Sequence, residues 1–137
     1  MNDDLTWMLN DVLTVPEVSH AILLSADGLV RAHSDGLSRD QADVQAAALS
    51  GLQSLSRSTA AFCSPADSDT ATPWRQSMVE FDDGFVFIIA AGPGAYLAVS
   101  STEKVDMEAA TFAMHKLVNR LGKNLTSPPR QDNGSAV

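Results

Sequence analysis

Apolar residues recur along the chain with two periods, one helical and one of strands. Leu5, Met8, Leu9, Val12 and Leu13 stand at helical spacing and predict a first helix over residues 3–14. Asn2, Asp3 or Asp4 would cap its open N–H groups and set negative charge at the positive end of the helix dipole, and Pro16 stops it. Short apolar runs at residues 21–24 and 29–33 flank Ala26-Asp27-Gly28, and Asp-Gly between such runs predicts a hairpin, because the turn needs positive φ at glycine. A long helix follows over residues 38–62, with Ser38 as N-cap and Gln41 three residues on, the spacing of a capping box. Val44, Ala48, Leu52, Leu55, Thr59 and Phe62 trace an apolar face on it. Ala47, Gly51, Ser54 and Ser58 trace a neighbouring face of small residues, either plainly solvated or shaped for close approach by another helix. Gly51 favours the second reading, since glycine inside a helix costs about 1 kcal/mol relative to alanine.

The second half reads as an antiparallel meander of strands 74–81, 84–91 and 95–101, turning at Asp82-Asp83-Gly84 and Gly92-Pro93-Gly94. Phe85 to Ile89 has no polar alternation, which suits a strand covered on both faces, whereas Trp74 to Val79 mixes polar and apolar residues as an edge strand would. A last helix over 106–125 turns Ala110, Met114, Leu117, Leu121 and Leu125 one way. Asp106 and Glu108 near its start and Lys116, Arg120 and Lys123 near its end complement the dipole. Residues 64–72 form a loop without apolar payload, and residues 126–137 a disordered tail rich in Ser, Pro, Asn and Gly, leaving one domain over residues 1–125. The order is α-ββ-α-βββ-α: an α+β, three-layer α/β/α domain around a five-stranded antiparallel sheet.

At 137 residues, 45% hydrophobic and 19% charged, the chain is long enough for one core. Its net charge of −8 is spread over the whole body with no basic stripe, which argues against nucleic acid as a partner. Cys63 is the only cysteine, so no intrachain disulfide forms; beside Phe62 on an apolar face it reads as buried and inert. The start, Met1-Asn2-Asp3-Asp4, is acidic and unlike a secretory signal. The uncharged stretch 84–102 is broken by Gly92-Pro93-Gly94 and does not read as a membrane span. A soluble, cytoplasmic protein without direct membrane insertion is expected.

The motifs of catalysis are missing. Gly122-Lys123 has Leu117 where a phosphate loop needs its first glycine and Asn124 where it needs a hydroxyl. Gly92-Pro93-Gly94 lacks the third glycine of a dinucleotide fingerprint, with Leu97 in its place. His20, His33 and His115 have no second ligand at metal-binding spacing. Ser50 lies between Leu49 and Gly51 rather than in a nucleophile elbow, and Asp82-Asp83 reads as a solvated turn. No catalytic, cofactor-binding or metal-binding residue stands out, and the chain is expected not to be an enzyme.

Several strings, in order, resemble the Roadblock/dynein light chain family, a relative of the longin domains. They are Leu5-Thr6-Trp7-Met8-Leu9, Val15-Pro16-Glu17-Val18 leading to His20-Ala21, and Leu24-Ser25-Ala26-Asp27-Gly28-Leu29. Ser34-Asp35-Gly36-Leu37, Ala48-Leu49-Ser50-Gly51-Leu52 and Gln76-Ser77-Met78-Val79-Glu80 continue the match, which covers about residues 3–125. The nearest resemblance is to small actinobacterial members encoded in conservon operons beside a Ras-like GTPase. It implies a Roadblock/longin/profilin-like fold without catalytic residues of its own. It also implies a homodimer in which the third strand pairs with its copy and the long helices lie side by side. In the bacterial gliding-motility system a related dimer stimulates a Ras-like GTPase without supplying an arginine finger.

The leading expectation is therefore a non-catalytic homodimeric module that binds and regulates a small Ras-like GTPase in a cytoplasmic signalling complex, with a histidine-kinase-like receptor as a further partner and membrane association only through partners. The candidate interface residues are Ala47, Gly51, Ser54 and Ser58 on the long helix, Trp74, Gln76, Met78 and Glu80 on the edge strand, and the cations Arg39 and Arg57. The alternative is a small-molecule sensor of PAS-like type, which needs an apolar cavity with a few polar groups. Against it, the sequence carries no cofactor handle and its three amphipathic helices would cover both faces of the sheet.

Overall fold

The two strands that pair at the centre of the sheet come from opposite ends of the chain. The computed structural model describes residues 2–63 and 72–126. In chain order the elements are α1 (Asn2–Val12), β1 (Val18–Ser25), β2 (Val30–His33), α2 (Arg39–Arg57), α3 (Ala60–Cys63), β3 (Gln76–Phe81), β4 (Gly84–Ala90), β5 (Ala95–Thr102) and α4 (Met107–Thr126). The strands order as β2-β1-β5-β4-β3, every pair antiparallel, so β1, β5 and β4 are interior and, among the described residues, β2 and β3 are the open edges. This is the α-ββ-α-βββ-α architecture that the periodicity predicts.

Strand alternation divides the core into two layers. Ala21, Leu23, Phe85, Phe87, Ile89, Leu97 and Val99 face α1 and α4, meeting Leu9, Val12, Met114 and Leu121. Ile22, Leu24, Ile88, Tyr96 and Ala98 face α2, meeting Ala42, Ala46 and Leu49. Arg120 of α4 pairs with Asp11 and stands 5.4 Å from the ring centroid of Trp7, which ties α4 to α1. Gly28 has φ of 86°, as the Asp-Gly turn requires, and the Ser25 hydroxyl holds the carboxyl of Asp27 below its ordinary range by donating to it.

The capping box at Ser38 is complete. Its hydroxyl accepts from the Gln41 N–H at 3.1 Å, and the Gln41 side chain accepts from the Ser38 N–H at 2.9 Å. Ser38→Ala is expected to cost about 1 kcal/mol, read as a fall of roughly 3–5 °C in a thermal melt. An unchanged melt would mean that α2 is held by its packing alone.

Several boundaries and faces differ from the expectation. α1 ends at Val12 because Leu13, Thr14 and Val15 turn their N–H groups to carbonyls three residues back, closing a tight turn ahead of Pro16. β1 begins at Val18, earlier than its apolar run, because β5 supplies a ladder partner along its whole length. The predicted 38–62 helix breaks after Arg57. The hydroxyls of Ser58 and Thr59 bond the carbonyls of Leu55 and Ser56 at 2.6 Å, competing with the helical ladder before the short α3 begins. The buried stripe of α2 is Ala42, Ala46, Leu49 and Gln53. The expected apolar face lies mostly outside it, with Val44 65%, Leu55 71% and Phe62 96% exposed. Cys63 is exposed rather than buried, and no residue of the short α3 is buried among the described residues. α4 runs through Thr126, one residue into the expected tail. The side chains of Asn2, Asp3, Asp4 and Leu125, and the segments 64–71 and 127–137, lie outside the described residues, and with them the first N-cap, the loop and the rest of the tail.

Candidate functional site

Edge strand β3 carries two sets of groups. Ala90 N–H donates to the Arg75 carbonyl, and the two-residue turn pairs Phe81 with Gly84. Backbone groups of an antiparallel strand point to alternate sides, so Arg75, Ser77, Val79 and Phe81 face β4. Gln76, Met78 and Glu80 then direct their N–H and C=O groups outward, along the open edge. Their side chains lie in the layer of Phe85, Phe87 and Ile89, on the α4 side of the sheet.

Ala47, Gly51, Ser54 and Ser58 are all exposed, on the surface of α2 turned away from the sheet. A Cβ placed on Gly51 would meet nothing within 4 Å. Val44, Ala48 and Leu55 form the adjoining exposed flank. The fold therefore gathers the α2 candidates into one surface and the β3 backbone into one edge. It does not bring the side chains of Gln76, Met78 and Glu80 together with those of α2, because they occupy opposite faces.

Trp74 and Arg57 are engaged within the chain. Trp74 precedes β3 rather than lying in it, and its indole N–H donates to the Ser77 hydroxyl at 2.9 Å. The Trp74 ring meets Tyr96 edge-on at 5.7 Å. Arg57 lies over both rings, at 5.3 and 5.7 Å, while donating to the Gln53 side chain at 2.7 Å and to the Tyr96 hydroxyl at 2.9 Å. Ser77 in turn donates to Ser56 at 2.8 Å. These contacts clamp the C-terminal end of α2 to the edge of the sheet, a role the sequence does not signal because its members are far apart in the chain. Arg39, by contrast, makes an exposed i,i+4 ion pair with Asp43 at 3.1 Å, of the kind that adds little stability.

The Roadblock/LC7 domain family model matches residues 5–101. The chain belongs to the Roadblock/LC7 domain family. It is similar to a Roadblock/LC7 domain from Streptomyces avermitilis, with 35% identity, a TM-score of 0.80, and coverage of 89% of this chain and 98% of that one. An MglB solved in a tetrameric arrangement shares the fold at 15% identity, with a TM-score of 0.76 over 89% of this chain and 88% of that one. Profilin II of Acanthamoeba castellanii does so at 18% identity, with a TM-score of 0.60 over 87% and 97%. No curated protein sequence matches the chain. Nothing in these matches supports the PAS-like alternative. Among the described residues of this Roadblock domain, no helix is long and apolar enough to cross a membrane, and no three His, Cys, Asp or Glu side chains group to hold a metal.

Proposed function

We propose that this Roadblock domain is a non-catalytic homodimeric module that binds and regulates a small Ras-like GTPase in a cytoplasmic signalling complex. The observation that carries the reading is the pairing of an open β3 edge with an apolar flank on α2. An unpaired edge is a hazard that self-pairing across a two-fold axis removes. Val44 and Leu55 are 65% and 71% exposed on the flank of α2 that also holds Ala48, and apolar side chains exposed along one helix flank suit a docking face. The tetrameric arrangement of MglB supports a fold that self-associates. The resemblance to conservon-type members supports the Ras-like GTPase and a histidine-kinase-like receptor as partners.

A module without catalytic groups acts by preferring one nucleotide state of its partner. The test combines solution mass with a pull-down of the Ras-like GTPase loaded with GDP or with GTP. A mass of twice 14.5 kDa and retention of one nucleotide form over the other are expected. A monomer at all micromolar concentrations, or no retention of either form, overturns the reading.

Alanine at Arg31, Arg39, Arg57 or Arg75 is expected to leave any stimulated hydrolysis within about tenfold at saturation, against the 10³–10⁵ or so that an arginine finger supplies. Arg57→Ala should weaken partner binding modestly by loosening the clamp that holds the end of α2, and Arg39→Ala by removing an exposed cation that is paired only with Asp43 at the surface. Loss of stimulation with binding intact would instead make the substituted arginine catalytic.

A further inference from the structure

The outward backbone of β3 is short enough to fix how two copies meet. Gln76, Met78 and Glu80 offer their N–H and C=O groups to the open edge, and Asp82 and Asp83 then turn the chain into β4. Trp74 precedes the strand, with its indole held by Ser77. The rival edge is blunted: β2 has four residues, its ladder with β1 is irregular between Leu23 and Leu24, and Arg31 stands exposed within it. Ladder hydrogen bonds join outward groups to outward groups, so even-numbered residues of β3 face even-numbered ones and a two-fold axis passes through one residue of the strand. With the axis at Gln76 or Ser77, Glu80 falls opposite Thr72 or Trp74, ahead of the strand. At Val79, Gln76 falls opposite Asp82, in the turn. At Glu80, two carboxylates meet. Only at Met78 does every outward residue of β3 find its partner within β3.

We propose that two copies of the chain pair through β3 with the two-fold axis at Met78, an inference that rests on the homodimer proposed above. The two Met78 side chains then meet at the axis. On either side of it the Gln76 amide donates to the carboxylate of the partner's Glu80. On the opposite face of the sheet, Arg75 falls beside the ring of the partner's Phe81, where a guanidinium is attracted to an aromatic face. Met78 and Phe81, 50% and 60% exposed in the single chain, both gain cover in this register. With the axis at Ser77, by contrast, Met78 would face the partner's Gln76 and Glu80 would face the partner's Trp74. Self-recognition therefore depends on the match of Gln76 with Glu80 as well as on the open backbone.

The test uses the full chain carrying Cys63→Ser, with Met78→Cys or Ser77→Cys added, treated with oxidised glutathione at micromolar concentration and run on a non-reducing gel. Facing residues of a hydrogen-bonded pair stand about 5.5 Å apart at Cα, within disulfide reach, whereas diagonal neighbours stand about 7–8 Å apart, beyond it. A cross-linked dimer is expected from Met78→Cys and none from Ser77→Cys. Ser77→Cys cross-linking as fast or faster, or neither cross-linking in a chain that sediments as a dimer, overturns the axis and leaves the dimer standing. A chain that sediments as a monomer at all micromolar concentrations overturns the homodimer itself. Sedimentation of Gln76→Lys and Gln76→Glu reads the flanking pairs without a cross-link. Lysine opposite Glu80 should tighten the dimer, and glutamate should weaken it, by about 2- to 30-fold over the two symmetric contacts. Glu80→Ala should cancel both effects. Effects that persist beside Glu80→Ala overturn the pairing.

Discussion

Met78→Pro is expected to leave the monomer folded and to abolish its self-association. Proline removes one N–H and fixes φ, and sheets accept it on an edge where that N–H faces solvent. The β3–β4 hydrogen bonds run through Arg75, Ser77, Val79 and Phe81, so the Met78 N–H points to the open edge and no internal ladder bond is lost. The side chain is 50% exposed, and its truncated packing should cost the monomer about 1 kcal/mol. A second β3 would lose a central hydrogen bond and meet the pyrrolidine ring, which should weaken dimerisation by at least about 100-fold. Light scattering at micromolar concentration, beside a thermal melt, reads both effects. A dimer that survives the substitution would place self-association elsewhere than on β3.

Gly51→Leu separates a free surface from a helix contact by the sign of its effect. The position is exposed, and a Cβ there touches nothing, so within the monomer leucine simply replaces a poor helix former. That change alone should stabilise α2 by about 0.8–1 kcal/mol and raise the melting temperature. Where a second α2 lies against Gly51, the added side chain forces the helices apart. Overpacking of about 1–3 kcal/mol then falls on the dimer, weakening it by roughly 5- to 150-fold. The proposed function expects a more stable monomer and a weaker dimer together. A dimer of unchanged affinity with a raised melting point would put Gly51 on free surface.

Local chemistry was the most legible part of the sequence. Asp27-Gly28 names its own turn, and Ser38 with Gln41 names a capping box that closes with both hydrogen bonds. Each of these depends on residues within a few positions of one another. The orientation of α2 was harder to read, because apolar residues occupy more than one of its faces. Periodicity favours Val44, Leu55 and Phe62, the larger side chains, yet the sheet takes Ala42, Ala46, Leu49 and Gln53. Small residues let α2 sit close to the strands, and Gln53 is admitted because Arg57 and the Ser50 carbonyl satisfy its amide. The break at Ser58 and Thr59 leaves no periodic trace, since hydroxyls turning back on the helix do not alter hydropathy. Of the candidate interface, the β3 edge was visible in its mixed composition. The clamp of Arg57, Trp74 and Tyr96 was not, because it joins residues as much as 39 positions apart.

The pairing of β1 with β5 bears on how the chain is born. Synthesis releases β1, β2 and α2 well before β5, so the N-terminal half emerges with only the four-residue β2 to pair against β1. A two-stranded hairpin is marginal in water, and α1 meanwhile lacks α4, the helix it packs against. The central ladder closes only after residue 102 has left the ribosome, and the α1–α4 layer only after the last helix has followed. Folding is therefore expected to wait for nearly the whole domain and then to proceed as one cooperative event, with the slow loop closure typical of sequence-distant strands. Fragments that stop short of β5 are expected to remain unfolded, with Ile22, Leu23 and Leu24 open to proteases and chaperones.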